Sequence, residues 1–181
     1  MLKSGFFIYF FICFIFFSCN NNQLKNGTYS IINKSSGKCL DLKADCQDKN
    51  GCIVQIWDII LNTNNQIWYI EKIGMENEYK IQSVSSNKIL DAEQRTLNED
   101  IGEVQVWEWL SRDNQIWSIE AAGNNYFYII MNLADKYLSI PKSSDTNGTQ
   151  VQLLDYDQTE RDHQLWKFEK NEIQPAFQIL E

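Results

Sequence analysis

The stretch "NNQIWYI", Asn64 to Ile70, returns as "DNQIWSI" from Asp113 to Ile119 and again as "DHQLWKF" from Asp162 to Phe168. The three glutamines stand at 66, 115 and 164, so both intervals are 49 residues. Self-similarity at a fixed period of this size marks an architecture of equivalent units. The likeness extends beyond the phrase. "YSIINKSSGKCLDL" (Tyr29 to Leu42) is echoed by "YKIQSVSSNKILDA" (Tyr79 to Ala92) and "FYIIMNLADKYLSI" (Phe127 to Ile140). "VQIWDI" at Val54 is echoed by "VQVWEW" at Val104 and "VQLLDY" at Val151, so four landmarks recur in one order.

Each landmark is a short alternating or β-branched run bounded by Ser, Gly, Asn or Asp, the signature of a brief half-buried strand. In the first unit the strands are expected at Thr28–Asn33, Lys38–Leu42, Ile53–Ile59 and Gln66–Ile73, and the other units follow suit. No stretch beyond the N-terminal apolar run carries a helical period. A propeller also repeats four-stranded units, but it typically needs about four to eight blades to close. Three units closing about a pseudo-threefold axis instead predict an all-β chain, a β-trefoil of twelve short strands whose closure removes the exposed edges. The repeats are expected at about 26–74, 75–123 and 124–170, with 171–181 as a C-terminal tail.

The first residues belong to export. Lys3 is followed by an apolar run from Gly5 to Phe17, too short to cross the roughly 30 Å hydrocarbon core comfortably as a helix. It reads as a secretory signal peptide over 1–18. Ser18 and Cys19 sit like the end of a lipoprotein cleavage box, although Phe16 stands where Leu is usual. Cys19 is then the first mature residue and the lipidation site, and 19–25 a linker. The alternatives are plain secretion and a retained anchor. All place the domain outside the cytoplasm, as a membrane-anchored lipoprotein or a secreted protein.

Removing residues 1–18 takes away one basic side chain, Lys3, and leaves 15 basic against 24 acidic. That balance argues against nucleic acid, anionic membrane and sulfated polysaccharide, all of which want clusters of Lys and Arg. Membrane association is expected only through a lipid on Cys19. Cys39, Cys46 and Cys52 remain in the folded part, so at most one intrachain disulfide forms among them, with Cys46 and Cys52 the expected pair. A zinc site has too few ligands and no nearby His; no metal or cofactor is expected. The sequons at Asn26, Asn33 and Asn147 matter only where the host glycosylates secreted proteins.

"CLDL", "VQIW" and "NNQIW" resemble the R-type lectins, the ricin B-chain-like β-trefoils whose units end in Gln-x-Trp. The resemblance runs from about Asn26 to Glu169. It implies that Trp68, Trp117 and Trp166 are core residues, so the repeated phrase speaks for fold and not for function. A sugar site wants a carboxylate for paired hydroxyls, amides to complete the pattern and an aromatic face for the C–H side of the ring. By resemblance Asp41 takes the hydroxyls, Trp57 stacks, Asn65 adds a direct hydrogen bond, and Gln55 and Gln66 hold the Asp in place. Asp91, Gln105, Trp107, Asn114 and Gln115 repeat the set. The step from Asp to the first Gln is 14 residues in both units, but from Trp to Asn it is 8 in the first and 7 in the second.

The third unit has Ser139 for the Asp, Leu154 for the aromatic and His163 for the Asn. It is expected to keep the barrel and lose the pocket, with Tyr156 a possible substitute platform and His163 a surface or packing residue. No phosphate loop or nucleophile motif is present. Asp41 and Asp91 lie in separate units, too far apart to flank one glycosidic bond at the roughly 5–9.5 Å that hydrolysis needs. The expectation is therefore a non-enzymatic lectin module binding neutral, galactose-type glycans or glycoproteins. The rival is a trefoil that binds a protein partner and keeps vestigial pockets. Oligomeric state is not legible.

Overall fold

The computed structural model describes residues 23–74, 77–173 and 175. The expected signal peptide (1–18), the Cys19 lipidation site and most of the tail lie outside the described residues. Each of the three units contributes four strands. The first unit has β1 Gly27–Asn33, β2 Cys39–Leu42, β3 Cys52–Trp57 and β4 Ile67–Lys72; the second has β5 Glu78–Ser83, β6 Ile89–Ala92, β7 Gly102–Trp107 and β8 Trp117–Gly123. The third has β9 Tyr126–Met131, β10 Lys136–Ser139, β11 Gln152–Leu154 and β12 Trp166–Asn171.

Six strands close a ring, all neighbours antiparallel: β1 pairs β4, β4 pairs β5, β5 pairs β8, β8 pairs β9, β9 pairs β12, and β12 returns to β1. The hairpins β2–β3, β6–β7 and β10–β11 cap it. They join one another through β3–β7, β7–β11 and a bridge from Gln55 to Gln150. A ring of six with a triangle of three hairpins is the β-trefoil arrangement.

The repeated Trp residues hold ring and cap together. Trp68, Trp117 and Trp166 are fully buried. Each donates its indole N–H at 2.9 Å to a carbonyl of the cap hairpin, that of Leu40, Leu90 or Leu138. Burying an aromatic of this size is favourable only if its N–H finds an acceptor, and the strand two landmarks earlier supplies it. Ile31, Leu40, Ile56, Ile81, Leu90, Val106 and Leu138 belong to the same core cluster.

The strands depart from expectation at the third landmark. β3 stops at Trp57, and Gln66 lies in a 3-10 turn, Asn64–Gln66, rather than in β4. Asp58 leaves the strand because its N–H donates to Asn147 Oδ1 (2.9 Å) and its carbonyl accepts from Gln66 Nε2 (2.8 Å). Both ends of the domain also differ from the reading. Leu24, expected in a linker, packs on the core, and its carbonyl accepts from the Tyr79 hydroxyl at 3.1 Å. Asn171, expected in the tail, is still paired with Thr28 in the ring. Cys46 and Cys52 form a disulfide and Cys39 stays free and buried. Burial, with the Asp41 carboxylate beside it, pushes the Cys39 thiol up to about 12, so it is inert at neutral pH.

Candidate carbohydrate site

The glutamine of each repeated phrase acts first as a loop clamp. Gln66 Oε1 accepts from the Ile60 N–H at 2.9 Å while its Nε2 donates to the Asp58 carbonyl at 2.8 Å. Gln115 does the same with Leu110 and Glu108, and Gln164 with Asp157 and Asp155. The side chain therefore fixes the loop that follows the third strand in all three units. Holding the Asp is a second task.

In the first unit Asp41 and Gln55 sit directly opposite each other on β2 and β3. Gln55 Nε2 donates to Asp41 Oδ1 at 2.9 Å and Gln66 Nε2 to Oδ2 at 3.2 Å. A carboxylate has about four acceptor positions, so two remain for a ligand. Burial pushes the Asp41 carboxyl above the ordinary carboxylate range, and the two amide donors pull part of that back. Trp57, 37% exposed, ends β3 beside it. The Asn65 side chain makes no hydrogen bond among the described residues and lines the pocket with Asp41, Gln55, Trp57, Ile60 and Thr63. The pocket measures about 380 Å³.

The turn from Asn147 to Gly148, contributed by the third unit, backs the Trp57 ring. A Cβ at Gly148 (φ +86°) would lie 3.6 Å from Trp57 Cζ3. Asn147 also donates to Asp58 Oδ2 at 2.7 Å, an acceptor that Lys38 Nζ shares through Oδ1. This asparagine, one of the sequons, thus holds Asp58, the residue after Trp57. Asn33, another sequon, is buried with its amide on the His163 and Leu165 carbonyls. The first unit lends the second a matching turn at Gly51, whose Cβ would stand 3.8 Å from Trp107 Cζ3.

The second site keeps the frame and spends its asparagine differently. Asp91 Oδ1 accepts from Gln105 at 3.0 Å, but Oδ2 accepts from Asn114 Nδ2 at 2.9 Å. Asn114 also donates to the Ala92 carbonyl at 2.8 Å, and Gln94 donates to its oxygen at 3.3 Å. Asn114 is therefore buried and committed where Asn65 is half-buried and free. The loop shorter by one residue draws the asparagine inward. Trp107 is half-buried, and the pocket shrinks to about 130 Å³, lined also by Glu93, Leu110 and Arg112. Burial raises the Asp91 carboxyl too, opposed by Gln105, Gln115 and Asn114.

The third unit has no carboxylate at this place. Ser139 is fully buried, its hydroxyl donating to the Tyr137 carbonyl at 2.7 Å and accepting from Gln164 Nε2 at 3.0 Å. His163 is buried, with Nε2 3.4 Å from Asp157 Oδ2. Tyr156 packs at centroid distances of 5.2 Å on Tyr137 and 5.8 Å on Tyr128, so it belongs to a tyrosine cluster.

Several lining residues carried no sequence signal: Ile60 and Thr63 in the first pocket, Gln94 and Arg112 in the second. Gly102 is buried at the start of β7, where an added Cβ would meet Leu153 Cβ at 2.9 Å. Ile101 occupies the position that corresponds to Gly51, four residues before the strand glutamine. Among the described residues no group of three or more His, Cys, Asp or Glu side chains is arranged to hold a metal ion.

The family model described as ricin-type beta-trefoil lectin domain-like matches residues 14–107 and again 64–154, the overlap reflecting the internal repeat. Among solved structures, the designed 3-fold symmetric protein ThreeFoil is similar at 26% identity and TM-score 0.73, covering 80% of this chain and 99% of its own. The Rhizoctonia solani agglutinin is similar at 25% identity and TM-score 0.71, over 82% of this chain and 98% of its own. The Macrolepiota procera ricin B-like lectin, solved in complex with lactose, is similar at 25% identity and TM-score 0.65, over 82% and 99%. No curated protein sequence matches. With three Trp-pinned units, two carboxylate pockets and a family match across most of its length, this chain belongs to the ricin-type beta-trefoil lectin domain-like family.

Proposed function

We propose that the protein is an extracytoplasmic carbohydrate-binding module that takes neutral, galactose-type glycans in its first unit and a second sugar in its second. The observation that carries this reading is the state of Asp41. Its two inner acceptor positions are filled by Gln55 and Gln66, its outer ones are unfilled, and an exposed Trp57 face and an uncommitted Asn65 amide stand beside it. That set matches a pyranose with two adjacent hydroxyls over an apolar C–H face. The protein acts as a binding module without catalysis, anchored by lipid on Cys19 or secreted.

Affinity at each pocket is expected near millimolar to tens of micromolar, or about −4 to −6 kcal/mol. Useful avidity then comes from two sites on one rigid body, or from many copies on a surface, which adds about 10²–10⁴. A protein-binding role is favoured by one feature, the consecutive exposed side chains Ile59, Ile60 and Leu61 next to Trp57. A glycan array with wild type, Asp41→Ala, Asp91→Ala and the double variant separates the two. Partial loss in each single variant and full loss in the double supports the lectin reading. Absence of binding by folded wild type sinks it and turns attention to the Ile59–Leu61 surface.

A further inference from the structure

The two pockets share a frame and differ at the residue that starts the 3-10 turn. In the first unit this is Thr63, whose hydroxyl accepts from the Asn65 N–H at 3.4 Å. In the second it is Arg112, whose side chain makes no cap hydrogen bond. An arginine has no acceptor to offer there, so the second turn forgoes its cap and places a cation instead. Arg112 is exposed, lines the pocket with Asp91 and Trp107, and has no ion-pair or hydrogen-bond partner for its guanidinium among the described residues.

Charge separates the pockets further. Lys43 pairs with Asp45 at 3.2 Å, which leaves Asp41 as the unbalanced charge of the first pocket. Glu93 pairs with Arg95 at 2.7 Å, which leaves Arg112 to balance Asp91 in the second. The first pocket therefore repels an anion by one net charge, and the second is neutral overall with its cation free. The second is also the smaller, about 130 Å³ against about 380 Å³. A cavity of that size has room for one edge of a ring rather than a whole pyranose, and the exposed Arg112 is part of its lining.

We propose that the second pocket is a site for carboxylated pyranoses, uronic or sialic acids, while the first takes neutral sugars. Asp91 accepts ring hydroxyls through its outer lone pairs, Trp107 lies under the C–H face, and the Arg112 fork takes the sugar carboxylate in two parallel hydrogen bonds. The inference rests on the sugar-binding reading and assigns it a ligand class per pocket.

The test uses the purified protein carrying Asp41→Ala, which silences the first pocket. Binding is measured by calorimetry or ligand-observed NMR with the methyl glycosides of galactose, galacturonic acid and N-acetylneuraminic acid. At low salt one of the two acidic glycosides is expected to bind about 5-fold tighter than the galactoside, an advantage of the size a solvent-exposed ion pair gives. The advantage shrinks in 0.5 M NaCl, where screening acts within about 4 Å. Arg112→Gln removes the preference at unchanged thermal midpoint, and Arg112→Lys restores part of it. The proposal is overturned if the galactoside binds as well as both acids, or if Arg112→Gln leaves the preference intact. Galactoside binding by the wild type through its first pocket, with no acidic preference in the second, defeats this inference alone. No binding of any of the three glycosides by the wild type defeats the lectin reading with it.

Discussion

Gln66 and Gln164 hold the same position in the repeated phrase, and only Gln66 serves a carboxylate, so replacing each by Ala separates scaffold from site. Both side chains are buried, at 1% and 0% exposure. Each clamps its loop with two bonds, Gln66 at 2.9 and 2.8 Å and Gln164 at 2.9 and 2.9 Å. The third bond runs to the Asp41 carboxylate at 3.2 Å or to the Ser139 hydroxyl at 3.0 Å. A neutral hydrogen bond contributes about 1 kcal/mol net and one to a charged group about 1.5–3 kcal/mol. Rehydration of the exposed loop groups offsets part of the loss. Gln164→Ala is therefore expected to cost about 2–3 kcal/mol and Gln66→Ala about 3–4 kcal/mol, within what a domain of this size tolerates.

Urea denaturation reads those values, and titration of the first-pocket sugar reads the site. Gln66→Ala is expected to weaken binding at least about tenfold, equivalent to about 1.4 kcal/mol, because the Asp41 carboxyl loses a donor and the loop carrying Ile60 is released. Gln164→Ala should leave binding within about twofold, since its unit has no carboxylate to orient. Equal weakening by the two variants would refute the division between scaffold and site. A stability loss below about 1 kcal/mol for Gln66→Ala would refute the clamp.

The remaining predictions concern pH and packing. Burial raises both Asp41 and Asp91, so sugar binding should decline on acidification above the usual carboxylate value near 4, when titrated between about pH 7 and 4. The sign for stability is opposite. The native state holds these two protons more tightly than the unfolded chain, so the carboxylates cost stability above their raised values and regain it as pH falls through them. Binding should therefore be lost while circular dichroism still reports a folded chain. Gly102→Ala sets a Cβ 2.9 Å from Leu153 Cβ and should destabilise by about 1–3 kcal/mol. Adding Leu153→Gly removes that Cβ and should relieve the steric part, giving a non-additive double-mutant cycle in thermal melts.

Much of this molecule is written in local pattern. Period-two runs in "YSIIN" and "VQIW" specify strands, and the 49-residue interval specifies three equivalent units. The Asp, Gln, Trp and Asn landmarks point to two pockets because each pocket draws its main polar groups from within one unit. What the sequence leaves undecided depends on residues that are distant along the chain. Asp58 leaves β3 because Asn147, 89 positions later, takes its N–H. Leu24 is core because the Tyr79 hydroxyl meets its carbonyl across 55 positions. Asn65 and Asn114 read alike and both line a pocket, yet one amide is free and the other is spent on Asp91 and Ala92. A loop one residue shorter changes where the amide lands, and periodicity carries no information about that. Gln66, Gln115 and Gln164 are predictable as a motif, but their work as clamps exists only once ring, cap and loop meet. Strand identity is a property of neighbours in sequence, set by alternation and β-branching. Pocket depth, free amides and the unpaired Arg112 are properties of neighbours in space, and closure of the ring alone decides them.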